Sequence, residues 1–273
     1  MILADLVRAL EAAYPPELAE SWDAVGLVCG DPAESVHTAL VCVDPVESTV
    51  DEAISVGAQL IVAHHPLLLR GVHGVPADTP KGGLVHRMIR NGVGLYCAHT
   101  NADNADPGVS DALAAALGLT GLRPLDPDTG AGRIGTLTTA EPLAAFAERV
   151  AGALPSTAGG VRAGGDPERP VRTVAVCGGA GDGLLEHARR GGVDAYVTAD
   201  LRHHPAGEHL ARADAPALVD VAHWASEWPW CEQAADVLRA ASGGTVNIHV
   251  SVRPTDPWTI GVPGDDPYRR TPA

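Results

Sequence analysis

Two adjacent histidines, His64 and His65, close a short apolar run and are followed by a proline. The run, residues 59–63, is rich in branched apolar side chains and predicts a buried strand that ends before Pro66. Polar side chains at the carboxyl end of such a strand lie where α/β proteins gather ligands and active sites. Because neighbouring residues there can point in different directions, each imidazole could serve one ion of a two-metal centre. The alternative, a pair of loop histidines bonded to the backbone, fits this motif taken alone.

Histidines and acidic residues recur at three further predicted strand ends. They are His99 with Asp103, the pair His203 and His204, and His223 with Glu227 four residues later. Imidazoles and carboxylates in one small volume are ligands for first-row divalent metals. A salt bridge at a helix start is the alternative for His223 and Glu227. The four clusters together favour metal. Two ions roughly 3.5–4 Å apart can share a water and lower its pKa, and a carboxylate such as Asp103 or Glu227 can bridge them.

The order of predicted elements indicates an α/β fold with mainly parallel sheets. Strands are expected near residues 39–43, 59–63, 94–98, 133–138, 173–177, 195–198, 217–221 and 245–252. Helices are expected near 2–10, 47–56, 83–90, 109–117, 142–151 and 226–240, with two more that begin at 183 and after 205. The histidine-bearing strand ends recur in similar order, which suggests two related halves that meet at a cleft, although 12 histidines could produce this by chance. We therefore predict a first half over 1–125, a second over 126–252 whose last elements could pack back on the first, and a Pro/Gly-rich tail over 253–273.

The composition narrows the range of partners and compartments. Acidic residues outnumber basic ones by 34 to 19, so the net charge of −15 disfavours binding to nucleic acid or to an anionic membrane. The five cysteines are scattered without CxxC spacing, as expected for reduced thiols. Neither a signal peptide nor an apolar run of membrane-spanning length is visible. We expect a cytoplasmic protein with a small-molecule substrate.

Several motifs in this chain occur together, and in this order, in a known family. They are AESWDAVGLVCGD (19–31), IVAHHP (61–66), AHTNAD (98–103), VAVCGGAGDGL (174–184), YVTADLRHH (196–204), DVAHWASE (220–227) and TDPW (255–258). With these the sequence resembles the NIF3-like family, whose members are widely labelled GTP cyclohydrolase 1 type 2 homolog. The resemblance covers almost the whole chain. Ala24, Ala199 and Ala222 depart from the family's pattern, and the departure at Ala199 puts the role of Asp200 and His204 in doubt.

The resemblance implies a dinuclear metal site in the cleft between the halves. Its ligands would be His64, His65, Asp103, His223 and Glu227, with Glu227 as the bridge and with Glu227 and Asp103 as the catalytic carboxylates. The two divalent ions could be Zn, Fe, Mn, Co or Ni. The family forms toroidal homohexamers, and some members carry an inserted domain for which this chain is too short.

The resemblance leaves two functions open. The first is a metal-dependent hydrolase, and the family label points to opening of the guanine ring of GTP at C8 with release of formate. No purine-reading motif supports that substrate, and phosphoester or amide hydrolysis would suit the site equally. The second is a non-catalytic metal-binding scaffold, metallochaperone or regulatory interaction protein. Because five ligands for two ions leave coordination positions free, chemistry is modestly favoured.

Residues outside this ligand set have competing interpretations. The segment 178–181 could cradle a phosphate, but a tight turn between strand and helix is favoured. Asp23 and Asp31 are expected to be turn acceptors. His99 could orient a metal ligand or simply end a strand.

Overall fold

A computed structural model describes residues 1–262 of the 273-residue chain. Its helices are α1 (Leu3–Ala13), α2 (Glu47–Ser55), α3 (Pro80–Arg90), α4 (Thr100–Asn104), α5 (Val109–Ala116), α6 (Leu143–Ala153), α7 (Leu185–Arg190), α8 (His203–Leu210) and α9 (His223–Ser242). Its strands are β1 (Gly26–Cys29), β2 (Thr38–Cys42), β3 (Leu60–Ala63), β4 (Gly94–Cys97), β5 (Thr120–Pro124), β6 (Arg133–Pro142), β7 (Arg162–Gly164), β8 (Pro170–Ala180), β9 (Ala195–Ala199), β10 (Ala217–Val221) and β11 (Asn247–Val250).

The strands form two sheets, as expected for an α/β protein of two related halves. The first has the order β1-β4-β3-β2-β11 and the second β5-β6-β8-β9-β10-β7. Neighbours from β4 to β11 in the first sheet pair in parallel, as do β8, β9 and β10 in the second. The edge strands β1, β5 and β7 pair antiparallel. Strand β11 lies late in the chain yet pairs with β2, so the chain returns to its first sheet after completing the second.

The main core lies between the two sheets and explains why the central strands are apolar throughout. Leu60 and Val62 of β3 face this core, together with buried residues of α1, α5, α6 and α9. Ile61 and Ala63 of the same strand face the opposite way, into a second cluster with α2 and α3. Because successive strand residues point to opposite faces, a strand that is covered on both sides must be apolar at every position. The 20-residue helix α9 contacts strands of both sheets.

The structure contains elements that the sequence pattern did not indicate. Strands β1, β5 and β7 and the short helix α4 were not predicted, and β8 extends beyond the expected residues 173–177. Every residue of β5 is exposed, and β7 has only three residues, so neither carries the buried alternation by which a strand is recognised. Of the predicted tail, residues 253–262 are described and contain no helix or strand, while 263–273 lie outside the described residues.

Among residues 1–262, none of the helices combines the length and the apolar character needed to cross a lipid bilayer.

Candidate metal centre

Three separate parts of the fold bring the five expected ligand residues together. His64 and His65 follow β3, and Asp103 lies on α4, directly after the neighbouring strand β4. His223 and Glu227 lie on the first turns of α9, which follows β10 of the other sheet. The carboxyl ends of strands from both sheets therefore meet at this point.

The carboxylate of Glu227 is the centre of the cluster, and its residue is only 3% exposed. Its Oε1 lies 2.9 Å from His223 Nε2 and 3.5 Å from His64 Nε2, and its Oε2 lies 3.1 Å from His65 Nε2. The Nε2 atoms of His65 and His223 are 3.2 Å apart. The carboxylate of Asp103 is also close, with its Oδ1 3.7 Å from His64 Nε2.

Each of the three imidazoles is fixed through its other ring nitrogen. His64 Nδ1 donates to the carbonyl oxygen of Ala98 at 2.9 Å, because a carbonyl can only accept. His65 Nδ1 lies 2.7 Å from Asp44 Oδ1, and His223 Nδ1 lies 2.7 Å from Asp200 Oδ2. With the proton on Nδ1, the lone pair of each Nε2 points at Glu227. Outer hydrogen bonds of this kind orient histidines that bind metals.

The donor atoms fit divalent cations. His64 Nε2 and Glu227 Oε2 are buried and make no hydrogen bond within the described part of the chain. Two donors on one tetrahedral ion with bonds of about 2.0–2.1 Å lie about 3.3 Å apart, close to the separations around Glu227. Since imidazole lone pairs and a carboxylate repel each other when nothing positive lies between them, the arrangement requires protons or metal ions.

Without metal, protons take that place. Burial of His65 lowers its pKa, but the charge of the neighbouring Glu227 and the hydrogen bond to Asp44 outweigh burial and raise the pKa to about 11. The same balance of burial against Glu227 raises the pKa of His223 to about 9. Burial raises the pKa of Glu227, but the surrounding histidines reverse that effect and hold it well below the usual value. Metal ions must therefore displace protons from the imidazoles when they bind.

Two glycines of β8 make room for the carboxylate, a role the sequence did not reveal. A Cβ on Gly179 would lie 2.4 Å from Glu227 Oε1 and 3.1 Å from His223 Nε2. A Cβ on Gly178 would lie 3.6 Å from Glu227 Cγ. Gly179 N–H donates to Ser226 Oγ at 2.8 Å, which ties β8 to the first turn of α9. Residues 178–180 of the segment 178–181 thus belong to β8, and Gly178 and Gly179 border the candidate metal centre.

A fourth histidine faces the centre, fixed by an aspartate that we expected to be only a turn acceptor. Asp23 Oδ1 lies 2.8 Å from His99 Nδ1, and its Oδ2 accepts from the backbone N–H of Thr100 at 3.0 Å. These bonds hold the pKa of Asp23 below its usual value although burial opposes them. One donor nitrogen each of His64, His65 and His99 lie within 4.8 Å of one another, so His99 borders the site. The expectation for Asp31 is met, since its Oδ1 accepts from the N–H of Ala33.

The second His-His pair does not join the centre. His203 and His204 begin α8, their rings pack against each other 5.1 Å apart, and both are exposed. Neither belongs to a group of metal-ligating side chains in residues 1–262. Asp200, three residues earlier, does contribute. Its backbone has a left-handed φ of 56°, and its carboxylate holds His223. Of the four strand-end clusters, three therefore meet and the one at 203–204 does not.

Known proteins are similar to this chain over almost its whole length. The family model for Duf34/NIF3 (NGG1p interacting factor 3) matches residues 1–257. A protein of Streptomyces coelicolor named GTP cyclohydrolase 1 type 2 homolog is 54% identical over 271 residues, covering 95% of this chain and 94% of the relative. A Mycobacterium tuberculosis protein of the same name is 41% identical, covering 94% of this chain and 97% of the relative. The crystal structure of a Bacillus cereus protein related to NIF3 superposes with a TM-score of 0.87 at 25% identity, covering 95% of this chain and 99% of the other.

Proposed function

The chain belongs to the Duf34/NIF3 family, and on that premise we propose that it is a metal-dependent hydrolase whose centre is the cluster around Glu227. Two divalent ions would be held by His64, His65, Asp103, His223 and Glu227. His65 and His223 would share one ion, His64 and Asp103 would bind the other, and Glu227 would bridge them. The carrying observation is that three oriented Nε2 atoms converge on one buried carboxylate.

The chain's own residues prepare the centre for this chemistry. When bound, a pair of divalent ions supplies Lewis acidity and a water of lowered pKa. Asp44 and Asp200 keep the imidazoles of His65 and His223 turned toward the ions. Five protein ligands for two ions leave coordination positions for water and substrate, which favours a catalytic centre over a closed structural one.

The first experiment measures metal content and turnover together. Protein purified without chelator or metal-affinity tag is analysed for metals, and the metal-loaded protein is assayed on a panel of phosphoesters, amides and nucleotides. We expect about two ions per chain and turnover that is lost in Glu227→Gln. Two tightly held ions with no turnover on the panel would support a metal-binding scaffold or metallochaperone instead.

GTP is the first nucleotide to test, because the bacterial relatives carry the name GTP cyclohydrolase 1 type 2 homolog. Ring opening at C8 would release formate and leave a triphosphate product. If metal-loaded protein forms no formate from GTP under conditions in which a control cyclohydrolase does, GTP is not its substrate, whatever the panel shows for other compounds.

We also propose a toroidal homohexamer in the cytoplasm. All five cysteines are free thiols, which suits a reducing compartment. Light scattering on the full chain should give six times the 28.0 kDa protomer mass, and fractionation of the source cells should recover the protein in the cytoplasmic fraction. A monomer in light scattering, or recovery outside the cytoplasm, would contradict the corresponding part.

A further inference from the structure

A cavity of about 660 Å³ opens beside the metal centre, and its wall is strongly acidic. His65 and His223 line the cavity next to the candidate metal centre, and residues of the segments 158–162 and 255–261 line it as well. Four carboxylates line it, from Asp44, Asp200, Asp220 and Asp256. Any substrate that reaches the metals through this cavity must lie against that wall.

Three of these carboxylates already have partners, and one does not. Asp44 and Asp200 hold the two histidines. Asp220 pairs with Arg162, whose Nε lies 3.1 Å from Asp220 Oδ2. Asp256 differs, because its Oδ2 is shielded from solvent and makes no hydrogen bond within residues 1–262. Partial burial and the charges of Asp200 and Asp44 raise the pKa of Asp256, and the charge of His223 opposes that effect only in part.

The cavity also offers an indole beside that carboxylate. Trp258 lies two residues after Asp256 and is 72% exposed although it borders the cavity, so its ring is available to a ligand. An aromatic face attracts cations, and carboxylates combined with an indole are the usual surroundings of a protonated amine. Arg162 is the only arginine or lysine among the described lining residues, and it is paired with Asp220.

We propose that this cavity binds the part of the substrate that carries a protonated amine, with Asp256 accepting its N–H and Trp258 covering it. The inference rests on the proposed hydrolase, since it names the class of substrate for that same centre. Asp256 and Trp258 are specificity residues in this assignment, and the scissile bond lies between the amine and the metals.

The backbone around these two residues is held in place. Thr255 Oγ1 donates to Asp44 Oδ2, so the segment is anchored to the same carboxylate that orients His65. At the other end, Gly261 packs so tightly on the carbonyl oxygen of Ala158 that a Cβ there would lie 1.8 Å from it. The segment that we expected to be a tail is therefore a wall of the cavity.

The test compares two probes of one chain length, n-butylammonium and the uncharged n-butanol, by calorimetric titration of the metal-loaded full chain at pH 7, where the amine is protonated. We expect n-butylammonium to bind, and to bind about tenfold more weakly to Asp256→Asn, because a charge-assisted hydrogen bond is lost. Trp258→Leu should weaken binding as well. Asp236→Asn, which removes an exposed carboxylate on α9 away from the cavity, serves as the matched control and should bind like the unaltered protein.

Two results would overturn the assignment. One is binding of n-butanol as tight as that of n-butylammonium, and the other is equal binding of n-butylammonium to the unaltered protein and to both cavity variants. Because binding is measured without turnover, a protein that binds the amine but hydrolyses nothing would disprove the hydrolase and leave the cavity's preference standing. Hydrolysis without any preference for amines would disprove the cavity's preference and leave the hydrolase standing.

Discussion

Replacing Gly179 by alanine tests whether the backbone of β8 positions the central carboxylate. Gly179 has a φ of +68°, and a Cβ built on it lies 2.4 Å from Glu227 Oε1. The left-handed backbone alone costs a residue with a Cβ roughly 1–2 kcal/mol. The contact adds a second effect, because no two such atoms can stay at that distance. Since Glu227 is buried among imidazoles, its carboxylate can move only by leaving the position between them.

Gly192 provides a matched control for the backbone effect. Its φ is +65°, nearly that of Gly179, but a Cβ there meets nothing within 4 Å. Gly192→Ala therefore carries the backbone strain without the contact. We expect urea unfolding of metal-free Gly192→Ala to show a loss of about 1–2 kcal/mol, and that of metal-free Gly179→Ala to show a larger loss because of the contact with Glu227. We expect calorimetric metal titration to show at least a tenfold loss of affinity for Gly179→Ala alone, a magnitude typical of disturbed metal-site geometry.

The two measurements separate the possible outcomes. If Gly179→Ala binds metal as tightly and in the same stoichiometry as Gly192→Ala, then Glu227 does not depend on the space beside β8 and the proposed bridge is wrong. If both variants lose metal affinity equally, the loss comes from general destabilisation. The thermal stabilisation produced by added metal should follow the affinities, because only binding to the folded state raises the melting temperature.

Three further results are expected. Glu227→Gln keeps the size but removes the charge of the proposed bridge, so elemental analysis should find at most one ion per chain in place of two. In the metal-free protein the pKa of His65 is raised from 6.5 to about 11 and that of His223 from 6.5 to about 9. The stability that the two protonated histidines contribute is therefore complete below pH 6.5 and is lost as pH rises through 9 and then 11, which urea unfolding should show. Metal titration should show affinity rising between pH 6.5 and 9, and a flat profile would contradict the raised pKa values. Alanine at both His203 and His204 should leave metal stoichiometry unchanged, and loss of an ion there would return these residues to the centre.

The elements that carry the metal ligands could be predicted because burial leaves a strong signature in sequence. Strands β3 and β4 are apolar runs covered on both faces, and β10 is apolar except for Asp220; the polar residues that follow these strands mark where they end. The edge strands lack this signature. Strand β1 is half-buried, and its pairing with β4 depends on a long-range contact that no local pattern encodes.

The aspartates that orient the candidate metal ligands could not be predicted either, because each lies far in sequence from its histidine. Asp44 lies 21 positions from His65, and Asp200 lies 23 from His223. Each pair meets only because neighbouring parallel strands end at the same edge of a sheet. The pair at 203–204, whose role the sequence left open, shows the limit of a short motif, since a dipeptide that looks like His64-His65 begins a surface helix. A dipeptide alone does not specify which way its side chains point.

The burial of Glu227 itself argues for metal over a structural role. Burying a carboxylate costs several kcal/mol even after relaxation, and well-packed apolar residues often serve stability equally well or better. Here the carboxylate is surrounded by three imidazoles, two of them fixed by further carboxylates, and β8 bears glycines where side chains would fill the space. Each of these features lowers packing or adds buried charge, which a site made only for stability would avoid. A divalent cation would be attracted by the same buried carboxylate and oriented imidazoles, and its binding would stabilise the folded chain.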